Sequence, residues 1–183
     1  LLTAPNSPRA PPGDVGAAQD PVGLAKQLAA TSAGLPPRGG TALAGAHDHA
    51  VNHMLEPGRI ESRNRGINGA HTPELFAAAL KGEGLEHKRT PIANLPGVVV
   101  VEYRLFKQFK GVNTAELKDG RPAVKTLFDP AVWPREAILK LGADVFPDPA
   151  SLANGEHYGE RDGVRFVGWV RDGRLESFGV YSW

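Results

Sequence analysis

The apolar positions of this chain change spacing near residue 84, from a helical period to a strand period. Before that point, "TALAGAHDHAVNHMLEPG" (41–58) predicts a helix that ends at Pro57 and Gly58. A second helix is predicted after Thr72, a good N-cap residue, with Pro73 at its first position. Its apolar stripe is formed by Leu75, Phe76, Ala79 and Leu80. The stretch between these helices, "RIESRNRGING", reads as a polar, basic loop.

The second half of the chain is dominated by strand patterns. Strands are predicted over 85–92, 97–106 and 123–128, and a short helix over 133–142. The chain closes with a hairpin whose turn is Asp172 and Gly173. Helices followed by antiparallel strands predict an α+β domain, with N-terminal helices packed on a twisted antiparallel sheet of four to five strands.

The first forty residues have a different composition from the rest of the chain. Seven of the 16 prolines lie between Pro5 and Pro37, among many small residues. Such a segment predicts a linker, here with one short helix near 20–34. We therefore divide the chain into two parts. Residues 1–41 form a Pro/Gly/Ala-rich segment, which is either a linker or the remnant of a region for entering another cell. Residues 42–183 form the folded domain.

Composition narrows the possible chemistry. Lys and Arg number 21 against 20 Asp and Glu, so any surface for nucleic acid must be local. The absence of cysteine excludes disulfides, thiolate zinc sites and cysteine nucleophiles. No apolar run approaches the roughly 18 residues of a membrane span, so we expect no stable association of this fragment with a membrane.

His71 is the first candidate for chemistry, because it directly precedes a predicted helix start. Unpaired N–H groups and the helix dipole favour an anion there, and they would favour a neutral imidazole suited to be a general base. The alternative is a polar residue outside a cap.

A histidine cluster, His47, His49 and His53, leaves three readings open. It could bind zinc, although a third ligand is not obvious. It could be solvated surface, or His53 alone could be a second catalytic histidine.

Further candidates lie on the predicted strands and in the basic loop. Lys125 lies inside a strand, where it reaches a sheet edge or a cleft, and Thr126 faces the opposite side and would orient the backbone or the substrate. Ser177 and Tyr181 share a face and could contact a base or a ribose. Arg63 and Arg65 could bind phosphate.

Histidines, a strand lysine and hydroxyls, without a carboxylate cluster for Mg²⁺, suit metal-independent RNA cleavage. In that reaction the ribose 2′-OH attacks its neighbouring phosphate. No cofactor is predicted.

Four strings in order, "GINGAHTPELFAAAL", "LPGVVVVEYRL", "KTLFDPAVWPREAILKLG" and "GVRFVGWVRDGRLESF", resemble the C-terminal toxin domains of CdiA proteins from contact-dependent growth inhibition systems. The resemblance implies the fold shared by barnase, EndoU, colicin nucleases and RelE, and a ribonuclease that cuts tRNA. It favours His71, Lys125 and Thr126 as site residues, with His53 similar to the first histidine of EndoU-type nucleases. The ending "SFGVYSW" departs from the EndoU pattern and favours a tRNase similar to colicin D.

The resemblance also implies a biological setting. Such toxins are part of a larger secreted, cell-surface effector, act in the cytoplasm of a neighbouring bacterium, and are neutralised by a cognate immunity protein. A translation factor of the target cell is a further candidate partner. Two alternatives remain at this point: a metal-dependent DNase that uses the histidine cluster, and a non-catalytic interaction module.

Overall fold

A computed structural model describes residues 40–62 and 66–181 of the chain. The helices are α1 (Gly40–Leu55), α2 (Pro73–Leu80) and α3 (Arg135–Val145), with a 3-10 turn at Pro149–Ser151. The strands of the first half are β1 (Arg59–Ser62), β2 (Gly66–Asn68), β3 (Gly84–Pro91), β4 (Val98–Phe109), β5 (Val112–Leu117) and β6 (Ala123–Phe128). The C-terminal strands are β7 (Gly155–Arg161), β8 (Val164–Arg171) and β9 (Arg174–Val180).

The long strand β4 organises the larger sheet. It pairs antiparallel with β3 along one side, and with β6 and then β5 along the other. The C-terminal strands form a separate antiparallel sheet in the order β7-β8-β9, and β1 pairs with β2. The two larger sheets meet where the N–H of Val180 donates to the Thr126 hydroxyl oxygen, 2.8 Å away.

Two apolar cores hold these layers together. The larger one packs α1 and α3 against the inner face of the C-terminal sheet, around Met54, Phe128, Ile138 and Phe178. The smaller one packs α2 and β2 against β4 and β6, around Phe76, Tyr103 and Leu127. Since β6 contributes to both cores, the side chains of this strand lie at the boundary between them.

The predicted α+β class with antiparallel sheets is confirmed, and so is the helix after Thr72. The predicted sheet of four to five antiparallel strands is confirmed in the four-stranded sheet, whereas the two further sheets, β1-β2 and β7-β8-β9, were not predicted as separate. The segment 59–69 is also not a plain loop, since it contains β1 and β2. These strands are only four and three residues long, too short for a period to appear in the sequence.

The predicted linker and its helix near 20–34 lie outside the described residues, and the boundary at residue 42 stays a prediction. None of the helices within 40–62 and 66–181 is long and apolar enough to cross a membrane.

Candidate active site

The segment from Gly66 to His71 forms the frame of the site. Gly66 and Gly69 have φ values of +82° and +69°, and Ala70 follows at +58°, in the left-handed region that favours glycine. A Cβ on Gly66 would lie 2.3 Å from the Tyr103 hydroxyl, so the backbone there passes too close to β4 for any side chain. This unusual path turns the chain back onto the end of α1.

His71 is fixed by its backbone on both sides. Its N–H donates to the carbonyl of Met54 at 2.7 Å, and its own carbonyl accepts from the N–H of Phe128 at 2.7 Å. The histidine is thus attached to α1 and to β6 at once, and only 8% of its surface is exposed.

The imidazole of His71 has a defined donor and a defined acceptor. Its Nδ1 lies 2.8 Å from the carbonyl oxygen of Thr126, which can only accept, so Nδ1 carries the proton. Its Nε2 lies 3.2 Å from the Nζ of Lys125 and accepts from that ammonium. The lone pair of a neutral imidazole therefore lies on Nε2, beside a cation.

Burial and charge hold His71 in this neutral form. Desolvation lowers the pKa of His71 well below its ordinary value of 6.5, and the neighbouring charge of Lys125 lowers it further. The Thr126 carbonyl works in the opposite direction, and the charge of His53 adds a smaller lowering of the pKa. His71 is thus a neutral base at physiological pH.

Lys125 extends from β6 into the smaller core rather than to a sheet edge. It is opposite Val101 in the register and 7% exposed, and its Nζ donates to the carbonyl of Ile67 at 3.0 Å. Burial lowers the pKa of Lys125 to about 7. The lysine therefore changes charge in the physiological range, at a position where it contacts the histidine.

Thr126 has two separate contacts, as the alternation of side chains along β6 predicts. Its carbonyl holds His71, whereas its hydroxyl oxygen accepts from Val180 on β9. With 4% exposure, the side chain is buried between the strands. Thr126 orients the imidazole through its backbone, and its hydroxyl joins the two sheets.

His53 lies near the end of α1 and is held at both ring nitrogens. Its Nδ1 is 2.7 Å from Oε1 of Glu56, and its Nε2 is 2.8 Å from Oδ1 of Asn68. These two contacts fix the orientation of the His53 ring between Glu56 and β2.

The helix start itself offers less to an anion than the sequence indicates. The Thr72 hydroxyl accepts from the N–H of Leu75 at 3.3 Å, and the Thr72 carbonyl accepts from Phe76 at 2.9 Å. Pro73 has no N–H to give. The expected anion site at the first turn of α2 is therefore largely taken up by the cap of the helix.

Two of the predicted substrate-binding residues, Ser177 and Tyr181, lie on β9 and directly after it. Ser177 and Tyr181 share the outer face of the C-terminal sheet, and the Tyr181 ring packs edge-on against Tyr158. Arg63 and Arg65 lie outside the described residues, so their role stays a prediction.

The three histidines near the N-terminus do not converge on a common point. The Nε2 of His47 lies 2.7 Å from the carbonyl of Phe146, and His49 pairs with Glu176 at 3.4 Å. His53 has the two partners given above. Within residues 40–62 and 66–181, no group of three His, Asp or Glu residues could hold a metal ion. The prediction that His47, His49 and His53 bind a metal ion together, on which the DNase alternative depends, is therefore wrong.

Tyr103 is a site neighbour that the sequence did not reveal. Its ring is 1% exposed in the smaller core, and its hydroxyl oxygen accepts from the N–H of Ile67 at 2.7 Å. The carbonyl of the same Ile67 holds Lys125, and the next residue, Asn68, holds His53. Nothing in "VVVVEYRLF" distinguishes this tyrosine from ordinary core residues of a strand.

Comparisons with known proteins agree with the sequence motifs. No family model matches the chain. It is similar to the tRNA nuclease CdiA of Escherichia coli strain STEC_O31, with 29% identity over 86 residues. The match covers 45% of this chain and only 3% of that protein. Among solved structures, the endoribonuclease Nsp15 encoded by Middle East Respiratory Syndrome coronavirus is similar with 19% identity and a TM-score of 0.38. That similarity covers 74% of this chain and 33% of the other. The sequence match confirms the resemblance of this chain to CdiA that its motifs predict.

Proposed function

We propose that this chain is a metal-independent endoribonuclease whose reacting groups are His71, Lys125 and His53. One observation carries the proposal: a neutral histidine donates through Nδ1 to a backbone carbonyl, and its Nε2 lies 3.2 Å from a buried lysine. A second histidine, His53, is held by Glu56 and Asn68 and lies close enough to lower the pKa of the first. In this proposal His71 is the general base, Lys125 is the cation that binds the phosphate, and His53 is the general acid.

The base step belongs to His71. Its Nε2 accepts a hydrogen bond from the Lys125 ammonium. A scissile phosphate is a stronger acceptor for that ammonium than a neutral imidazole. When Lys125 turns to a phosphate oxygen, Nε2 becomes free to take the proton of the ribose 2′-OH. Binding of the substrate thus frees the Nε2 atom of His71 to act as the general base.

The charge step belongs to Lys125. Attack of the 2′-oxygen on phosphorus places additional negative charge on the non-bridging oxygens, and a preorganised cation in a water-poor site stabilises that charge strongly. Since burial lowers the pKa of Lys125 to about 7, its ammonium gains more from an arriving phosphate than an exposed lysine would.

The acid step belongs to His53. As the bond between phosphorus and the 5′-oxygen breaks, the imidazolium gives its proton to that oxygen. The carboxylate of Glu56 stabilises the imidazolium beforehand. The products are a 2′,3′-cyclic phosphate and a 5′-hydroxyl, and no water or oxidant is consumed. His71 holds one proton more and His53 one fewer until solvent restores them.

The similarity to a protein named tRNA nuclease supports tRNA as the substrate. We propose further that the chain is a toxin domain that is exported as part of a larger cell-surface effector, acts in the cytoplasm of a neighbouring bacterium and is held inactive by an immunity protein in the producing cell. Use of a translation factor of the target cell belongs to the same proposal.

The test is cleavage of tRNA by the purified chain in the presence of EDTA. We expect discrete fragments that end in 2′,3′-cyclic phosphate, because the reaction uses the 2′-OH and no metal. An RNA with a single 2′-deoxy residue at the cleaved position should stay intact there. Loss of cleavage in EDTA, or cutting at the deoxy position, would contradict the mechanism. Absence of any nuclease activity would favour an interaction module.

Tyr103 provides a more specific prediction. Tyr103→Phe removes the acceptor for the N–H of Ile67 and leaves that buried group unpaired, so we expect the free energy of unfolding to fall by about 1–3 kcal/mol. We also expect kcat to fall about tenfold with little change in KM, since a displacement of the 67–68 backbone shifts both Lys125 and His53. Steady-state kinetics and urea unfolding measure the two effects.

Phe76→Leu is the matched control, because its ring packs edge-on against Tyr103 at 5.2 Å and makes no hydrogen bond. It should lower stability without changing kcat below its melting range. If Tyr103→Phe and Phe76→Leu lower kcat equally at equal stability, Tyr103 has no positioning role.

A further inference from the structure

The peptide between Ile67 and Asn68 is the point at which the proposed reacting groups meet. The Nζ of Lys125 donates to the carbonyl of Ile67 at 3.0 Å and lies 3.2 Å from the Nε2 of His71. The side chain of Asn68, on the other side of the same peptide, has its Oδ1 2.8 Å from the Nε2 of His53. Asn68 is therefore adjacent to the groups of the site, although the reaction described above gives it no step.

The backbone on both sides of Asn68 is fixed, whereas its side-chain amide is held by one contact. The N–H of Ile67 donates to the Tyr103 hydroxyl at 2.7 Å, and the N–H of Ala70 donates to the carbonyl of Glu56 at 3.0 Å. In the part of the chain that the structure describes, no group accepts from the Nδ2 of Asn68, which is half-buried. Two side-chain N–H groups are thus available on a rigid frame, and rotation of the side chain moves them without moving that frame.

The contacts of His53 determine which of its ring nitrogens meets the substrate. A carboxylate can only accept, so the Nδ1 of His53, 2.7 Å from Glu56, keeps its proton for that partner. The Nε2 is then the atom that gives a proton to the leaving 5′-oxygen, and that oxygen has to take the place of the Asn68 Oδ1. The contact with the amide is the weaker of the two, because hydrogen bonds to a charged acceptor are about twice as strong as those between neutral groups. The amide is therefore the partner that a substrate displaces.

We propose that Asn68 is a substrate-binding residue whose amide moves from His53 to the scissile phosphate when RNA binds. Its Nδ2 donates to a non-bridging phosphate oxygen beside the Lys125 ammonium, and the Nε2 of His53 is left facing the 5′-oxygen. Asn68 neither gains nor loses a proton.

The bonds and protons of the reaction are those of the proposed function. The 2′-oxygen bonds to phosphorus and its proton goes to His71, while the bond to the 5′-oxygen breaks and the proton of His53 goes to that oxygen. Because negative charge grows on the non-bridging oxygens during attack, the Asn68 amide stabilises the transition state more than the bound substrate. This inference rests on the proposed ribonuclease function, and it adds a second donor to the phosphate beside Lys125.

Two substitutions distinguish a donor to phosphate from a residue that only holds His53. Asn68→Asp keeps the shape and an acceptor for His53, but it loses both N–H groups and repels the phosphate, whereas Asn68→Ala removes both contacts. We expect Asn68→Ala to lower kcat about 100-fold with KM within about twofold, as for loss of one donor to the transition-state charge. We expect Asn68→Asp to lower kcat about 1,000-fold, because its carboxylate lies beside the developing charge. A residue that only holds His53 predicts the reverse order of these two variants.

Binding of inorganic phosphate tests the contact without relying on cleavage. Phosphate is titrated against the isotope-labelled full chain, and NMR follows the side-chain N–H signals of Asn68 and the ring nitrogens of His53. We expect both sets of signals to move with the same Kd, and we expect that Kd to rise about tenfold or more in Asn68→Asp.

The matched control is Asn94→Asp, which also loses a side-chain donor and gains one negative charge. Asn94 is exposed, and its Nδ2 donates to the carbonyl of Asp162 at 3.0 Å. We expect its kcat and its phosphate Kd to stay within about twofold of wild type, since single surface contacts contribute little. Urea unfolding shows that each variant is folded under the assay conditions.

The outcomes separate this inference from the proposed function. If Asn68→Asp cleaves RNA faster than Asn68→Ala, or if phosphate leaves the Asn68 signals unmoved, the contact is refuted even where the wild-type chain cleaves tRNA. If the wild-type chain cleaves no RNA, but phosphate moves the Asn68 and His53 signals with a Kd that Asn68→Asp raises, the proposed function fails and the contact is supported. Equal effects of Asn68→Asp and Asn94→Asp on the phosphate Kd also overturn the contact.

Discussion

His71→Ala is expected to lower the rate of RNA cleavage by about three orders of magnitude, which is within the usual contribution of a positioned general base to the rate. The reason is specific to this imidazole: its Nδ1 proton is fixed by the Thr126 carbonyl, so its Nε2 is the atom left to accept the 2′-OH proton. Single-turnover cleavage of tRNA measures the change, and expression of the variant inside bacteria should no longer inhibit growth.

His49→Ala is the matched control for this variant. His49 lies on α1, is exposed over 52% of its side chain and pairs with Glu176 on the surface. We expect its removal to leave cleavage within about twofold of wild type, since surface pairs contribute little. A His71→Ala protein that folds normally and cleaves RNA at the wild-type rate would remove this residue from the mechanism.

Lys125→Met is expected to change activity and stability in opposite directions. Activity should fall by about two to three orders of magnitude, the usual cost of losing a group that stabilises the transition-state charge. Stability at pH 7 should rise by about 1–4 kcal/mol, because a methionine of similar volume removes the cost of burying an ammonium. A group that the fold tolerates only at a cost is typical of a functional site.

The lowered pKa of Lys125 also predicts how the free energy of unfolding changes with pH. Below about pH 7, Lys125 is protonated in both the folded and the unfolded chain, and its contribution does not change with pH. Between about pH 7 and 10.5, the unfolded chain still holds the proton that the folded chain has lost, so the free energy of unfolding rises with pH. This contribution is on the order of a few kcal/mol over the window.

Urea titrations at several pH values measure the effect as a difference between wild type and Lys125→Met. The difference should be largest at or below pH 7 and should shrink toward pH 10.5. A constant difference across that range would mean that Lys125 does not have a lowered pKa in the folded chain.

The sequence predicted those parts of the fold that local patterns determine. Thr72 and Pro73 mark the start of α2, and the alternation in "AVKTLF" places Lys125 and Thr126 on opposite faces of β6. Both features depend on residues close together in the chain, where capping and side-chain alternation act. His71 and Lys125 were candidates from residue type and position, although nothing local showed that they would be 3.2 Å apart.

The missed features depend on contacts between distant residues. Tyr103 meets the N–H of Ile67 across 36 positions, and His53 meets Asn68 across 15. The split of the strands into separate sheets depends likewise on packing against α1 and α3, which no strand pattern encodes. Ala70 has a positive φ that its residue type does not suggest, and this backbone turn is what brings His71 to β6.

The backbone contacts of His71 join segments that are far apart in the sequence. It is bonded to Met54 on one side and to Phe128 on the other, across 17 and 57 positions of the chain. A fragment that ends before β6 contains both histidines, but it lacks the carbonyl that orients one of them and the lysine that contacts it. The proposed activity therefore requires the completed fold, because a partly synthesised or partly unfolded chain does not bring these groups together.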